Sequence, residues 1–314
     1  MSAGQSGAEL AGRSGWPSVG VVVATRDRPA LLERAVASIM GQSYPGDIDC
    51  TVVFDQSPPH AVAVPESAGR RLRLMRNTRT PGLAGARNTG MVAGSTALIA
   101  FCDDDDAWDT DKLRLQIELL TREAAEFASC GIRINHAYRV VDRIPPPVVE
   151  LPQLVRERVT GLHPSTFLFR RAALEGMGLV DEQIPGSYGE DYDWLLRAAG
   201  RMPIVVVQQP LAEVYWHEQS FFAERWETVA AALEYLLAQH PELRAHPGGL
   251  ARIQGQIAFA QAALARRPAA CRASWQALRN NPLERRAYLA LAVASGAVSA
   301  TSIVHLANRR GRGI

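Results

Sequence analysis

A mixed, mainly parallel α/β sheet flanked by helices, followed by an α-helical C-terminal region, is predicted by three observations. Short β-branched runs alternate with segments of helical period through the first half of the chain. Those runs are continuously apolar rather than alternating, as strands buried on both faces are. Beyond about residue 222 strand-like runs stop, and Ala/Leu-rich segments broken by His-Pro, Arg-Pro and Asn-Pro take over.

The first strand is Val19–Ala24, a β-branched run. Thr25-Arg26-Asp27-Arg28 follows it, and Pro29 opens a helix in which Leu31, Leu32, Ala35, Val36 and Ile39 repeat at helical spacing until Gly41. Cys50–Phe54 is a second strand and ends in Asp55-Gln56-Ser57-Pro58-Pro59. Leu72–Met75 is a short third strand. Pro81-Gly82-Leu83-Ala84-Gly85-Ala86-Arg87-Asn88 is a Gly-rich entry into a helix, where backbone can approach a ligand. Arg87 there either pairs with a phosphate or braces the loop that follows.

The chain is organised around Phe101-Cys102-Asp103-Asp104-Asp105-Asp106-Ala107-Trp108. The apolar run Ala97–Cys102 ends abruptly in consecutive carboxylates, so a buried strand delivers acids to a sheet edge. In open α/β sheets ligands bind at the C-terminal ends of strands. Carboxylates about 6 Å apart repel by roughly 2–3 kcal/mol per pair at an effective dielectric near 20, and a divalent cation offsets that repulsion. Oxygen ligands suit Mg2+ or Mn2+, which also take phosphate oxygens. An acidic turn before a helix, capped by Asp109 or Thr110, is the plain alternative.

This tract resembles the metal-binding DXD motif of GT-A glycosyltransferases, in the version found in family 2. The resemblance implies a GT-A, Rossmann-like fold: a catalytic domain over 18–221, with a nucleotide-sugar-binding half (18–108) and an acceptor half (109–221). Residues 1–17 are expected to be a disordered tail and 222–314 a helical region outside the resemblance. It further implies that Thr25, Arg26 and Asp55 hold nucleobase and ribose. Family members often carry a second Asp after the second strand; Gln56 stands there, and an amide can still bond a base edge. The family has a segment like Gly82–Asn88 at this distance before its acidic tract, which puts Arg87 at the donor. Asp103 and Asp104 are then expected at ribose and metal-water contacts, and Asp105 on the metal, Mn2+ or Mg2+. His217, in Tyr215-Trp216-His217, matches a family His that closes over metal and diphosphate.

In the second half, Leu162-His163-Pro164-Ser165-Thr166 resembles a small-residue segment on the family's acceptor side, so Ser165 is expected there and His163 reads as a loop residue. Gly186–Arg197 resembles the Glu-Asp motif in which an Asp at a helix start is the general base, a role that falls on Asp191. Ser187-x-x-Glu190 fits a capping box, so Glu190 is expected to cap the helix at the acceptor side. Asp193 is expected to be solvated or bracing. Together these imply an inverting transfer from a nucleotide-diphosphate sugar to a hydroxyl or amine of a saccharide, lipid-linked or small-molecule acceptor.

Composition bounds the alternatives. A net charge of +2 gives no case for nucleic acid as a partner. Cys50, Cys102, Cys130 and Cys271 are widely spaced and read as reduced, which points to the cytoplasm. The C-terminal helices suggest a homodimer contact, with at most peripheral membrane association, because Ser295, Gly296 and Ser299 interrupt the most apolar stretch. A sugar nucleotidyltransferase would need a Gly-rich phosphate loop where Thr25–Pro29 stands. A non-catalytic nucleotide-sugar-binding module would not need both Asp105 and Asp191.

Overall fold

The structure, a computed structural model, describes residues 15–64, 67–136, 139–215 and 225–309. The chain divides into two compact units. One comprises 1–151, 159–182 and 197–216; the other comprises 152–158, 183–196 and 217–314. The helical unit thus takes in two segments, 152–158 and 183–196, that lie within the stretch read from sequence as the sheet domain.

The first unit is built on one sheet. Its strands are β1 (Val19–Thr25), β2 (Ile48–Phe54), β3 (Arg70–Arg76), β4 (Leu98–Phe101), β5 (Ala107–Trp108), β6 (Phe127–His136), β7 (Arg139–Arg143), β8 (Val148–Val149), β9 (Leu168–Arg170) and β10 (Ile204–Tyr215). Their order is β3-β2-β1-β4-β9-β6-β10-β5, with β7 paired to β6 and β8 to β10. β1 pairs in parallel with both β2 and β4, while β9 runs antiparallel between β4 and β6. Val19, Val21, Val22 and Val23 are all buried, as a central strand covered on both faces requires.

Helices α1 (Pro29–Met40), α2 (Leu83–Ala93) and α3 (Lys112–Arg122) cover this sheet. α1 buries Leu32, Ala35, Val36 and Ile39, the stripe visible in the sequence, and Pro29 sits in its first turn. α3 ends at Arg122, and Ala124 adopts a positive φ just beyond Glu123.

The chain winds from β1 through β2 to β3 on one side, then returns to place β4 on the other side of β1. The strand order therefore reverses between β1 and β4, which is where α/β sheets open a ligand crevice. Cys102 N donates to Val22 O and Asp55 N to Thr25 O, so the ends of β4, β1 and β2 share one edge.

The second unit is helical: α4 (Leu151–Arg156) enters it, α6 (Glu190–Ala199) contributes its first turns, and α7 (Trp226–Gln239), α8 (Pro247–Ala263), α9 (Arg267–Asn280), α10 (Arg285–Ser295) and α11 (Ala300–Arg309) complete it. The short α5 (Leu174–Met177) belongs to the sheet unit. Buried alanines on α8, α9 and α10 let these three helices pack against one another. Among the described residues no helix is long and apolar enough to cross a membrane. All four cysteines are free, and three are buried.

Candidate active site

The loop after β4 lies at the shared strand edge, and each of its carboxylates is held by side chains from other elements. Arg87, on α2 and 3% exposed, donates from Nη2 to Asp103 Oδ1 at 2.7 Å. Thr25 Oγ1, at the end of β1, donates to Asp104 Oδ2 at 2.7 Å. Arg28 Nη1 spans Asp104 Oδ1 at 3.2 Å and Asp105 Oδ2 at 2.9 Å. Arg34 holds the Asp105 carbonyl at 2.6 Å while its guanidinium stacks 3.7 Å from the Tyr215 ring centroid. Ser165, fully buried, accepts from Asp103 N at 2.9 Å and donates to Asp106 Oδ2 at 2.5 Å.

Burial and mutual repulsion then act on the acids. Burial pushes Asp104 up to about 6, against the hydrogen bond from Thr25. Burial and then the charge of Asp103 raise Asp105. Asp106 is raised furthest, by burial and by the charges of Asp103 and Asp105. Burial is the leading cause for all three, and the neighbouring carboxylate charges add to it.

Asp103, Asp106 and His163 bring ligand atoms within 4.8 Å of one another. At that separation two ionised carboxylates repel by about 3 kcal/mol at an effective dielectric near 20, which a divalent ion would reverse. Asp106, however, is only 2% exposed at its side chain and already accepts from Ser165 and from Tyr215 N. The faces open to solvent are those of Asp103, Asp105 and His163, at 24%, 25% and 28%. Carboxylate oxygens with one imidazole suit Mn2+ better than Mg2+. His217 lies outside the described residues.

The other expected donor residues sort into two groups. Arg26 is exposed beside Asp27 at the end of β1, and Gln56 is exposed with φ 53° at the end of β2. Asp55 is buried and accepts from Asn77 Nδ2 at 2.8 Å, Gly82 N at 3.0 Å and Gln56 Nε2 at 2.9 Å. It therefore ties β2 to the Gly-rich entry of α2. Within that entry a Cβ on Gly85 would lie 1.9 Å from the Thr80 carbonyl oxygen, so this glycine lets the loop fold against itself rather than against a ligand. Of the two readings of Arg87, bracing is the one these contacts display; Asn88 likewise braces, bonding Val180 and Glu182. Ser165, expected on the acceptor side, has its hydroxyl committed inside the acidic loop.

Sequence reasoning missed the part played by Arg28, Asn77, His163 and Ser165 in this network. Arg28 had a local signal, three residues past the end of a strand; the 163–165 segment had none, lying some sixty residues from the acids it holds. Behind the loop, Trp108 Nε1 donates to Ser165 O at 2.8 Å, and Lys112 Nζ lies 3.9 Å from the Trp108 ring centroid. Lys112 is fully buried, which pulls its ammonium down to about 8.

In the helical unit, α6 begins at Glu190. Gly189 O accepts from Asp193 N, so Gly189, with φ 82°, stands at the N-cap position, two residues past the Ser187 that the capping-box pattern puts there. The reason is local: Gly186, Ser187 and Gly189 all have positive φ, which bends the approach away from helical geometry. Glu190 is 4% exposed in the first turn. Asp191, 11% exposed at its side chain, accepts from Arg158 Nη2 at 2.6 Å. The adjacent Asp191 charge raises Arg158 above its ordinary range. Asp193 is a brace: it bonds His240 Nε2 at 2.8 Å, and His240 Nδ1 bonds Glu242 at 2.7 Å.

Comparisons place these features among known proteins. The profile of Glycosyl transferase family 2 matches residues 20–178. The UDP-Glc:alpha-D-GlcNAc-diphosphoundecaprenol beta-1,3-glucosyltransferase WfgD of Escherichia coli is 27% identical over 130 residues, covering 41% of this chain and 51% of that protein. The succinoglycan biosynthesis protein ExoO of Rhizobium meliloti is 30% identical over 221 residues, 64% of this chain and 61% of that one. The chain thus spans 51% and 61% of the length of these two curated relatives. In fold it is similar to S. aureus TarS 1-349 in complex with UDP-GlcNAc, with TM-score 0.57, 15% identity and coverage of 94% and 92%. It is also similar to the mannosyltransferase PcManGT from Pyrobaculum calidifontis in complex with GDP-Man and Mn2+, with TM-score 0.52, 18% identity and coverage of 93% and 79%.

Proposed function

The chain belongs to glycosyl transferase family 2, and from that premise we propose that it moves a sugar from a nucleotide-diphosphate sugar to an acceptor hydroxyl or amine, with inversion at the anomeric carbon. The observation that carries this reading is the acidic loop at the β1–β4 switch point, pinned by Arg87, Thr25, Arg28 and Ser165. Preorganised polar groups at a strand edge are what a charged donor needs, because little reorganisation is then left to the binding step.

In this reading Thr25, Arg26, Asp55 and Gln56 form the nucleoside side of the donor site, at the ends of β1 and β2. Asp103 and Asp104 serve the ribose and the ion's water shell, and Arg87 fixes Asp103. Asp105, with Asp103 and the neighbouring His163, would hold a divalent ion; His217 is the family-type candidate to join it. Such an ion, when bound, offsets the charge of the leaving diphosphate. The Mn2+ in the PcManGT complex supports a metal of this class, and the UDP-GlcNAc in the TarS complex supports a nucleotide-sugar donor. Asp191 takes the proton from the acceptor group as it attacks the anomeric carbon. The Arg158 guanidinium holds that carboxylate in place.

The test is incubation with a panel of nucleotide sugars, Mn2+ and candidate acceptors. Release of nucleoside diphosphate with a glycosylated product supports the reading. Release of pyrophosphate, or binding with no turnover across the panel, overturns it.

A further inference from the structure

Three arginines from separate segments of the helical unit gather at the start of α6. Arg158, just past α4, donates to Asp191 at 2.6 Å. Arg252, on α8, donates to the Tyr192 hydroxyl at 3.1 Å and lies 5.5 Å from that ring's centroid. Arg286, in the first turn of α10, donates to Glu284 at 3.0 Å. Packing fixes the set. A Cβ on Gly249 would lie 1.9 Å from the Val155 carbonyl oxygen, so the start of α8 runs directly against the end of α4. A Cβ on Gly255 would lie 3.1 Å from Arg286 Cβ, so the next part of α8 runs against α10. Arg252 falls midway between these contacts, at the i, i+3, i+6 spacing that keeps all three residues on one side of the helix.

The three arginines are not paired alike. Arg158 faces Asp191, with Glu190 nearby, and Arg286 faces Glu284. Arg252 makes no ion pair among the described residues; its hydrogen-bond partner is a neutral phenol. Burial, and the like charges of Arg158 and Arg286, hold its guanidinium below the usual arginine range. The Nε atoms of Arg252 and Arg286 are both buried without a hydrogen-bond partner among the described residues. Buried guanidinium donors without acceptors are costly, and like charges beside them add to the cost. An oxyanion gives Arg252 the counter-charge that Arg158 and Arg286 already have, and it accepts from guanidinium donors in their planar fork geometry.

Resting on the transferase reading with Asp191 as base, we propose that the acceptor carries an oxyanion, a phosphate or a carboxylate, and that Arg252 receives it with Arg158 and Arg286 on either side. The structure then reads the acceptor by its charge beside the residue that deprotonates it.

Two measurements on the full chain test this. The first needs no transfer: methyl phosphate and acetate are titrated into metal-free protein, and binding is followed by calorimetry. Saturable binding is expected, weakened about tenfold by Arg252→Gln and only partly by Arg252→Lys, which keeps the charge but loses the fork. The second compares a neutral glycoside acceptor with its phosphate ester and its uronic acid counterpart. The preference in kcat/KM for one anionic form over the neutral one is expected to fall about tenfold in Arg252→Gln, mainly through KM; which form is preferred identifies phosphate or carboxylate. Equal use of neutral and anionic acceptors by the wild type overturns the proposal. So does an equal loss on both acceptors in Arg252→Gln, or loss of binding to phosphatidylglycerol vesicles with acceptor preference unchanged. If no acceptor is used while methyl phosphate binding still depends on Arg252, the transferase reading falls and the anion site stands, so the two failures are told apart.

Discussion

In the loop after β4, carboxylates are locked by partners from α2, the end of β1, the residue before α1 and the segment before β9, most of them buried. At the start of α6, Asp191 instead faces a guanidinium that is 44% exposed. The difference matches the work each is proposed to do. A site that grips a charged donor gains from rigidity, because the cost of assembling like charges is met during folding rather than at binding. A group that must accept and later release a proton gains from a partner that can shift. The same contrast recurs within the helical unit: Asp193, two residues from Asp191, is buried and clamped by His240.

The sharpest way to break this contrast is Asp191→Asn. It should lower transfer by about a thousandfold, in the range general-base removal produces, while donor affinity stays within about twofold. Product formation and nucleotide-sugar titration measure the two sides, and substantial residual transfer would remove Asp191 from the role. Next in size, Asp105→Asn should raise the Mn2+ concentration needed for donor binding by about ten- to a hundredfold. If Asp106→Asn does this instead and Asp105→Asn does not, the ion belongs with the closer set of Asp103, Asp106 and His163.

Two smaller effects concern stability. Burial alone would lower the His240 pKa, but its bonds to Asp193 and Glu242 outweigh that and hold it above the usual value. A raised folded-state pKa means this contribution is complete below the unfolded value and is lost as pH rises through the folded one. His240→Ala should therefore cost about 2–3 kcal/mol at pH 6 and visibly less at pH 9, read from thermal melts across that range. Ser165→Ala should cost about 1–2 kcal/mol, because the buried Asp106 loses a donor. It should also weaken the donor more than it weakens a phosphate bound at Arg252, which keeps the two regions energetically separate.

Much of the sheet unit was legible because its signals are local. The β-branched runs, Pro29 at a helix start, and an apolar strand ending in acids each imply a structure without reference to distant residues. The bracing was not legible, because Ser165 lies some sixty residues from Asp103 and Asp106 and is set beside them by the pairing of β9 with β4. Arg87 could be placed near the acids but not assigned between brace and ligand, since its 3% exposure is a property of packing. At Ser187 the local pattern could not show the positive backbone angles at Gly186, Ser187 and Gly189, which put Gly189 at the helix start. Arg158, Arg252 and Arg286 carried no signal, because their proximity depends on helix-to-helix contacts through Gly249 and Gly255.

The insertion of β9 between β4 and β6 has a consequence for synthesis on the ribosome. β1, β2, β3 and β4 emerge first and can pair among themselves, yet the serine that ties down their acidic loop arrives some sixty residues later, with the strand that flanks β4. A nascent chain halted near residue 150 would therefore have Thr25, Arg28 and Arg87 to hold Asp103, Asp104 and Asp105, but no serine for Asp106. The loop should gain its last restraint, at Asp106, only once residue 170 has cleared the exit tunnel.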